Sequence, residues 1–104
     1  MTGQDLDVTA GVVVDMVRLA AEEVPGVLRL GSGGSRLRRS LAGPPVAVRL
    51  REGRADVRVT LIARPGHSLV GICGEVRTVV ASALERLLGL EAGSVTVVVD
   101  GVSG

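Results

Sequence analysis

Side chains able to do chemistry are sparse in this chain. Among 104 residues there is one histidine, His67, one cysteine, Cys73, and no lysine. A zinc site takes three or four Cys, His or carboxylate ligands, and no such set accompanies His67. His67 instead precedes Ser68, a candidate helix N-cap, and reads as a surface or capping residue. Cys73 falls on the apolar stripe of a helical pattern, and no histidine can be placed beside it, so it reads as a buried structural thiol rather than a nucleophile. Without lysine there is no Schiff-base chemistry and no phosphate-binding Gly-Lys-Ser/Thr. No paired carboxylates and no Ser/His/Asp set suggest themselves. The expectation is a protein that is not an enzyme and that carries no cofactor and no metal.

Two patterns bear on binding instead. Val70-Gly-Ile-Cys-Gly-Glu-Val76 places a Gly-x-x-Gly at the start of a helix, like the nucleic-acid-clamping loop of KH domains. Glycines there cost about 1 kcal/mol each relative to alanine, so they call for a reason. The residues between them are Ile and Cys rather than basic ones, and the preceding Arg-Pro-Gly-His-Ser is not a helix. Close packing of the helix start on a sheet is the preferred reason, and a KH-like nucleic-acid module using Gly71 and Gly74 is the alternative. The other pattern is the Gly- and Ser-rich stretch 31–45, read as a flexible loop. It contains Arg36-Leu-Arg-Arg-Ser40, whose default reading is solvated charge.

The elements that would position these residues centre on 55–99. Val57, Val59, Leu61 and Ala63 alternate with Arg58, Thr60, Ile62 and Arg64, the period of a strand with one buried face. Pro65-Gly66 breaks the strand. Leu69, Ile72, Cys73, Val76, Val80, Ala83, Leu84 and Leu87 then follow helical spacing, with Gly89 placed to take the left-handed position after the helix and Leu90 to fold back towards Leu84. Val95, Val97 and Val99 alternate again. A strand, a crossover helix and a strand make a parallel pair.

Upstream, residues 1–7 read as a loose lead-in and Val8 to Val24 as a helix whose apolar stripe is Val13, Met16, Val17, Ala20 and Val24. Pro25 ends it. Val27–Leu30 is a short strand and Val46–Arg51 a longer one, turning at Glu52-Gly53. Setting Leu50 opposite Ala55 places Val48 opposite Val57 and Arg49 opposite Asp56, a self-consistent hairpin register. The predicted fold is α+β: one domain over 1–104, a two-layer sandwich of order α-β-β-β-α-β, with a mixed sheet and both helices on one face. Its uncovered face carries Arg49, Arg51, Arg58 and Arg64 beside Ile62 and Val98, opposed only by Asp56 and Asp100. An ordinary solvated face and a partner-binding surface both fit this pattern, and the exposed apolar residues beside the arginines favour the partner.

Composition sets the outer bounds. At 46% hydrophobic with no Phe, Tyr or Trp, the core must be close-packed Val, Leu and Ala. A net charge of +1 gives no global attraction to nucleic acid or to an anionic membrane. The acidic start lacks the apolar region of a signal peptide, and no run of about 18 apolar residues spans a membrane. A cytoplasmic location is expected.

Three blocks together resemble the bacterial alkaline-shock, or general-stress, protein family, also called envelope-stress-response proteins. They are Ala20-Ala-Glu-Glu-Val-Pro-Gly-Val27, Val57-Arg-Val-Thr-Leu-Ile-Ala-Arg-Pro-Gly66, and Gly74-Glu-Val-Arg-Thr-Val-Val80 with Gly89-Leu90 and Val95-Thr-Val-Val-Val-Asp-Gly-Val102. The likeness covers nearly everything outside 31–45. The family often has an aromatic residue where Pro65 stands. The resemblance implies a non-enzymatic cytoplasmic protein tied to envelope stress, a self-associating scaffold or adaptor, held near the membrane by a separate anchor protein rather than by a span of its own; the arginines of the open face, for their part, suit a partner with an acidic segment. A nucleic-acid partner is not expected from it.

Overall fold

The computed structural model describes residues 3–35, 37, 41 and 43–104. The elements run α1 (Gly3–Glu22), β1 (Val27–Leu30), β2 (Val46–Arg51), β3 (Arg54–Ala63), α2 (Leu69–Leu88) and β4 (Glu91–Val102). This is the predicted α-β-β-β-α-β order.

β3 is the hub of the sheet. β2 pairs antiparallel with its first part, from Arg54 to Val59, and β1 pairs antiparallel with its last residues, Leu61 to Ala63. β4 pairs parallel with it, so the sheet is mixed as expected. Thr60 is where one antiparallel neighbour hands over to the other: its N–H donates to the Pro45 carbonyl at 2.8 Å, and its carbonyl accepts from Gly31 N–H at 2.8 Å. The two backbone groups of one strand residue point to the same edge. β1 and β2 therefore lie end to end along one side of β3, and β4 lies along the other. The hairpin has the predicted register, Val48 opposite Val57 and Arg49 opposite Asp56. It turns through Glu52 and Gly53 with φ of 53° and 76°, the sign pattern of a type I′ turn, which matches the twist of the strands it joins.

Ala55, Val57, Val59, Leu61 and Ala63 form one buried cluster with Val13, Val17 and Ala21 of α1 and with Ile72, Val76, Val80 and Leu84 of α2. Both helices therefore cover the same sheet face. Ser68 caps α2 by accepting from Gly71 N–H at 3.1 Å. Gly89 closes the helix at φ 65°, and Leu90 N–H reaches back to the Leu84 carbonyl at 3.0 Å.

Three details differ from the sequence-based expectation. α1 begins at Gly3 rather than Val8, so most of the supposed lead-in is helical. Its buried line is Val13, Val17 and Ala21, continued by Val24 just after the helix, while Met16 and Ala20 are only half-buried. On α2, Leu69 and Leu87 are exposed and Cys73 is half-buried rather than buried. The reason is common to both helices. An apolar stripe on a helix is at least about 100° wide, and only its centre line meets the sheet.

Candidate functional site

The face of the sheet away from the helices is built by the even-numbered positions of β3. Asp56, Arg58 and Thr60 point there, flanked by Arg49 and Ala47 from β2 and by Thr96 and Val98 from β4. Arg49, Arg51 and Arg58 are all exposed. Arg58 stands between two shallow hollows. One, of about 340 Å³, includes Ala47, Arg49, Asp56 and Thr96. The other, of about 570 Å³, includes Thr60, Val98 and Asp100 on the sheet and Ser32, Leu37 and Leu41 above it.

Ile62 does not belong to the exposed surface. It is 2% accessible, because Gly33 lies over its Cδ1. Gly33 N–H donates to Asp100 Oδ2 at 2.8 Å, and Gly31 N–H is fixed to Thr60 as described. The Gly-rich segment thus begins as a strap across one end of the sheet, and glycine lets its backbone lie flat on Ile62. Val98 is correspondingly half-buried. Arg64 sits just beyond β3, exposed, with its N–H donating to the Gly26 carbonyl at 2.8 Å. Of the predicted arginines the structure groups Arg49, Arg51 and Arg58 on the face, and Arg54, opposite Arg51, joins them. Their apolar neighbours are Leu37 and Leu41, 70% and 78% exposed. The sequence signal for those two was their i, i+4 spacing within the Gly/Ser/Arg-rich stretch. Arg36 and residues 38–40 of that stretch lie outside the described residues.

The Asp56 and Asp100 carboxylates on this face are engaged, while Glu91, opposite Arg54, is exposed. Asp100 holds the strap. Asp56 accepts from the backbone N–H of Ser94 at 2.8 Å and from its hydroxyl at 3.2 Å. β4 bulges between Ala92 and Val95, which leaves the Ser94 N–H free to meet the carboxylate. Gly93 is part of this arrangement, since a Cβ there would collide with the Asp56 carboxylate and lie 2.6 Å from Arg54 Nε. The Ser94 backbone N–H is the main cause holding the Asp56 carboxyl below its ordinary 3.8; the Ser94 hydroxyl and the charges of Arg54 and Arg51 add to it, against some desolvation. The folded carboxyl therefore binds a proton less readily than the unfolded one. Its contribution to stability is present above about pH 3.8 and is lost as the pH falls through the lower folded value. In acid titrations followed by circular dichroism, Asp56→Asn should flatten that limb by lowering stability at pH 7, while leaving stability at the acid end little changed. An unaltered acid limb would remove Asp56 from this role.

Gly71 and Gly74 lie in the first turns of α2, not in a loop. Gly71 N–H is held by Ser68 Oγ, and Ile72 N–H donates to the Ser68 carbonyl at 2.9 Å. The helix cap thus uses backbone groups that a clamping loop would present to nucleic acid, so the KH-like alternative gains no support. The packing explanation also falls. A Cβ at Gly74 would meet nothing within 4 Å, and one at Gly71 would meet only Ser68 at 3.5 Å. His67 is exposed and lies near Gly26. Among the described residues no group of three or more His, Cys, Asp or Glu is arranged to hold a metal ion. Among them, too, no helix is long and apolar enough to cross a membrane.

Solved structures similar to this chain include a MamM CTD variant, with 18% identity and a TM-score of 0.62 over 88% of this chain and 95% of that one. A second variant in a nickel form matches at 18% identity and TM-score 0.62, over 88% and 96%. A third in a copper form matches at 18% identity and TM-score 0.62, over 88% and 95%. At that identity the likeness is one of fold. No curated protein matches the chain. The family model that matches residues 2–104 settles the lineage suggested by the three sequence blocks: the chain belongs to the alkaline shock protein 23 family, whose function is cell envelope-related.

Proposed function

We propose that this chain is a non-enzymatic, cytoplasmic adaptor of the envelope stress response. It self-associates and docks an acidic segment of an envelope-linked protein, such as a membrane anchor, on the open sheet face. The supporting observation is the charge arrangement of that face. Arg49, Arg51 and Arg58 are exposed there, while the neighbouring carboxylates are taken by Ser94 and by the strap. A guanidinium pairs a carboxylate bidentately and tolerates partial desolvation better than an ammonium. Leu37 and Leu41 add apolar contact beside Arg58. The family's cell envelope-related function gives the setting.

The test is charge reversal at Arg49 and Arg58 together. Both side chains are exposed and point away from the helices, so the fold should survive. Reversing both charges sets like charge against an acidic partner, which slows its docking and weakens the complex. A fluorescent fusion of the double variant should leave the cell periphery for the cytoplasm during envelope stress. A wild-type fusion that is diffuse under the same stress, or a variant that stays peripheral, would overturn this account of the sheet face.

A further inference from the structure

The two edges of the sheet are built differently. One is shared by β1 and β2, strands of four and six residues laid end to end. The other belongs to β4 alone, which runs for 12 residues. Among the described residues, no strand pairs with its outer side. An open edge is a template for another strand, and proteins usually blunt it with charge, proline or brevity. The middle of β4, Val95-Thr-Val-Val-Val99, has none of these, and all five residues are β-branched.

The hub strand decides where the backbone groups of β4 point. Thr60 gives both of its groups to the β1–β2 side. Val59 and Leu61 therefore turn theirs towards β4. Val59 lies beside Val97 and Leu61 beside Val99. In a parallel pair, a residue bonds to the two neighbours of the one it lies beside, here Thr96, Val98 and Asp100. Val95, Val97 and Val99 are left with their N–H and C=O groups directed out of the edge. Their side chains lie under the helix layer and are only half-buried.

α2 turns Val79 and Ala83 towards α1. Its other flank, with Leu69, Cys73 and Arg77, lies on the β4 side. Two packed helices, each about 10–12 Å across, are wider than three strands spaced about 4.8 Å apart, so α2 overhangs the β4 edge. Under the overhang Leu69, Val70, Cys73 and Arg77 line a hollow of about 340 Å³ against Val99. Val70 is 85% exposed. The positions one helical turn from Arg77, namely 73, 74, 80 and 81, are Cys, Gly, Val and Ala, so α2 itself sets no carboxylate beside this guanidinium.

We propose that the β4 edge binds an extended segment of another protein by strand addition. The segment's main chain pairs with Val95, Val97 and Val99, its alternate apolar side chains enter the hollow under α2, and a carboxylate among them meets Arg77. The overhang selects this occupant over a second copy. A second copy pairing through its own β4 would bring its α2 to about one strand spacing from this one, closer than the 8–10 Å that packed helices need. A segment with no helix above it fits. The site is separate from the arginines of the open face and does not rest on the function proposed for them.

The test uses the full chain and an end-blocked, fluorescent peptide, Thr-Val-Thr-Glu-Thr-Val-Thr, which presents Val, Glu and Val on one face in either direction. Fluorescence anisotropy should show saturable binding, lost when the peptide is fully N-methylated and its N–H donors are gone. Arg77→Glu should weaken binding about fivefold, the size of one exposed ion pair. It should bind a peptide with Lys in place of Glu better than wild type does. Val97→Pro, which removes an outward donor, should abolish binding with the circular dichroism spectrum kept; where that variant misfolds, Arg77→Glu decides. Arg58→Glu should bind as wild type. Amide exchange by NMR should be faster at Val97 and Val99 than at Thr96 and Val98, and the peptide should slow the first pair. No saturable binding, undiminished binding of the N-methylated peptide, or indifference to Arg77→Glu would overturn the proposal. Protection of Val97 and Val99 that rises with protein concentration alone would overturn it too, by giving the edge to a second copy.

Discussion

Leu84→Ala is expected to cost about 2–5 kcal/mol of folding stability. Leu84 is fully buried at the C-terminal end of the α2 line that meets the sheet, in one cluster with Val76, Val80, Val57 and Val59. Interiors are close-packed and relax only in part, which adds a cavity cost to the lost burial. The loss is a large share of the about 5–15 kcal/mol that holds a domain together. Leu87, three residues on and 63% exposed, provides the control. Leu87→Ala should change monomer stability by no more than about 0.5 kcal/mol. Urea denaturation at a concentration too low for association measures both. A Leu84→Ala loss below about 0.5 kcal/mol would show that this line of α2 is not core.

The contrast between Leu84 and Leu87 also shows where sequence reasoning stops. Period and turn chemistry were enough to place every strand, α2 with its Ser68 and Gly89 caps, and the β2–β3 register, because each is decided by neighbours close in sequence. Which part of a wide apolar stripe meets the sheet is decided by distant elements. That is why Met16, Ala20, Leu69 and Leu87 were assigned inward and lie partly or wholly outward. The arginines of the open face were legible from strand alternation. The burial of Ile62 was not, since it depends on where Gly33 crosses the sheet, a contact with Asp100 that spans 67 positions. The Ser94–Asp56 bond was hidden for the same reason: its partners are 38 positions apart and meet only because β4 bulges. Gly71 and Gly74 are the converse case, visible at once in the sequence but unexplained by the chain's own packing.

Gly26→Ala is the other substitution expected to act strongly, by about 1–3 kcal/mol of destabilisation. Gly26 links α1 to β1 and is buried. Its φ is not in the left-handed region, so backbone strain is not the reason. The reason is space. A Cβ at position 26 would lie 2.5 Å from Cγ1 and 2.7 Å from Cδ1 of Ile72, and 3.3 Å from Cγ of His67. His67 is exposed and can yield, but Ile72 is 2% accessible and sits in α2. A β-branched side chain in a helix has one strongly preferred χ1 rotamer. Relief must therefore come from moving the backbone. The backbone is also held, because the Gly26 carbonyl accepts the Arg64 N–H at the end of β3. A double-mutant cycle isolates this contact. In an Ile72→Ala background the clashing atoms are gone, so adding Gly26→Ala should cost little or even recover stability by filling part of the cavity. Additive losses in urea denaturation would mean that the Gly26–Ile72 contact is not what forbids a side chain here. Strong positive coupling would identify it as the joint that locks the end of α1 and the end of β3 onto the start of α2.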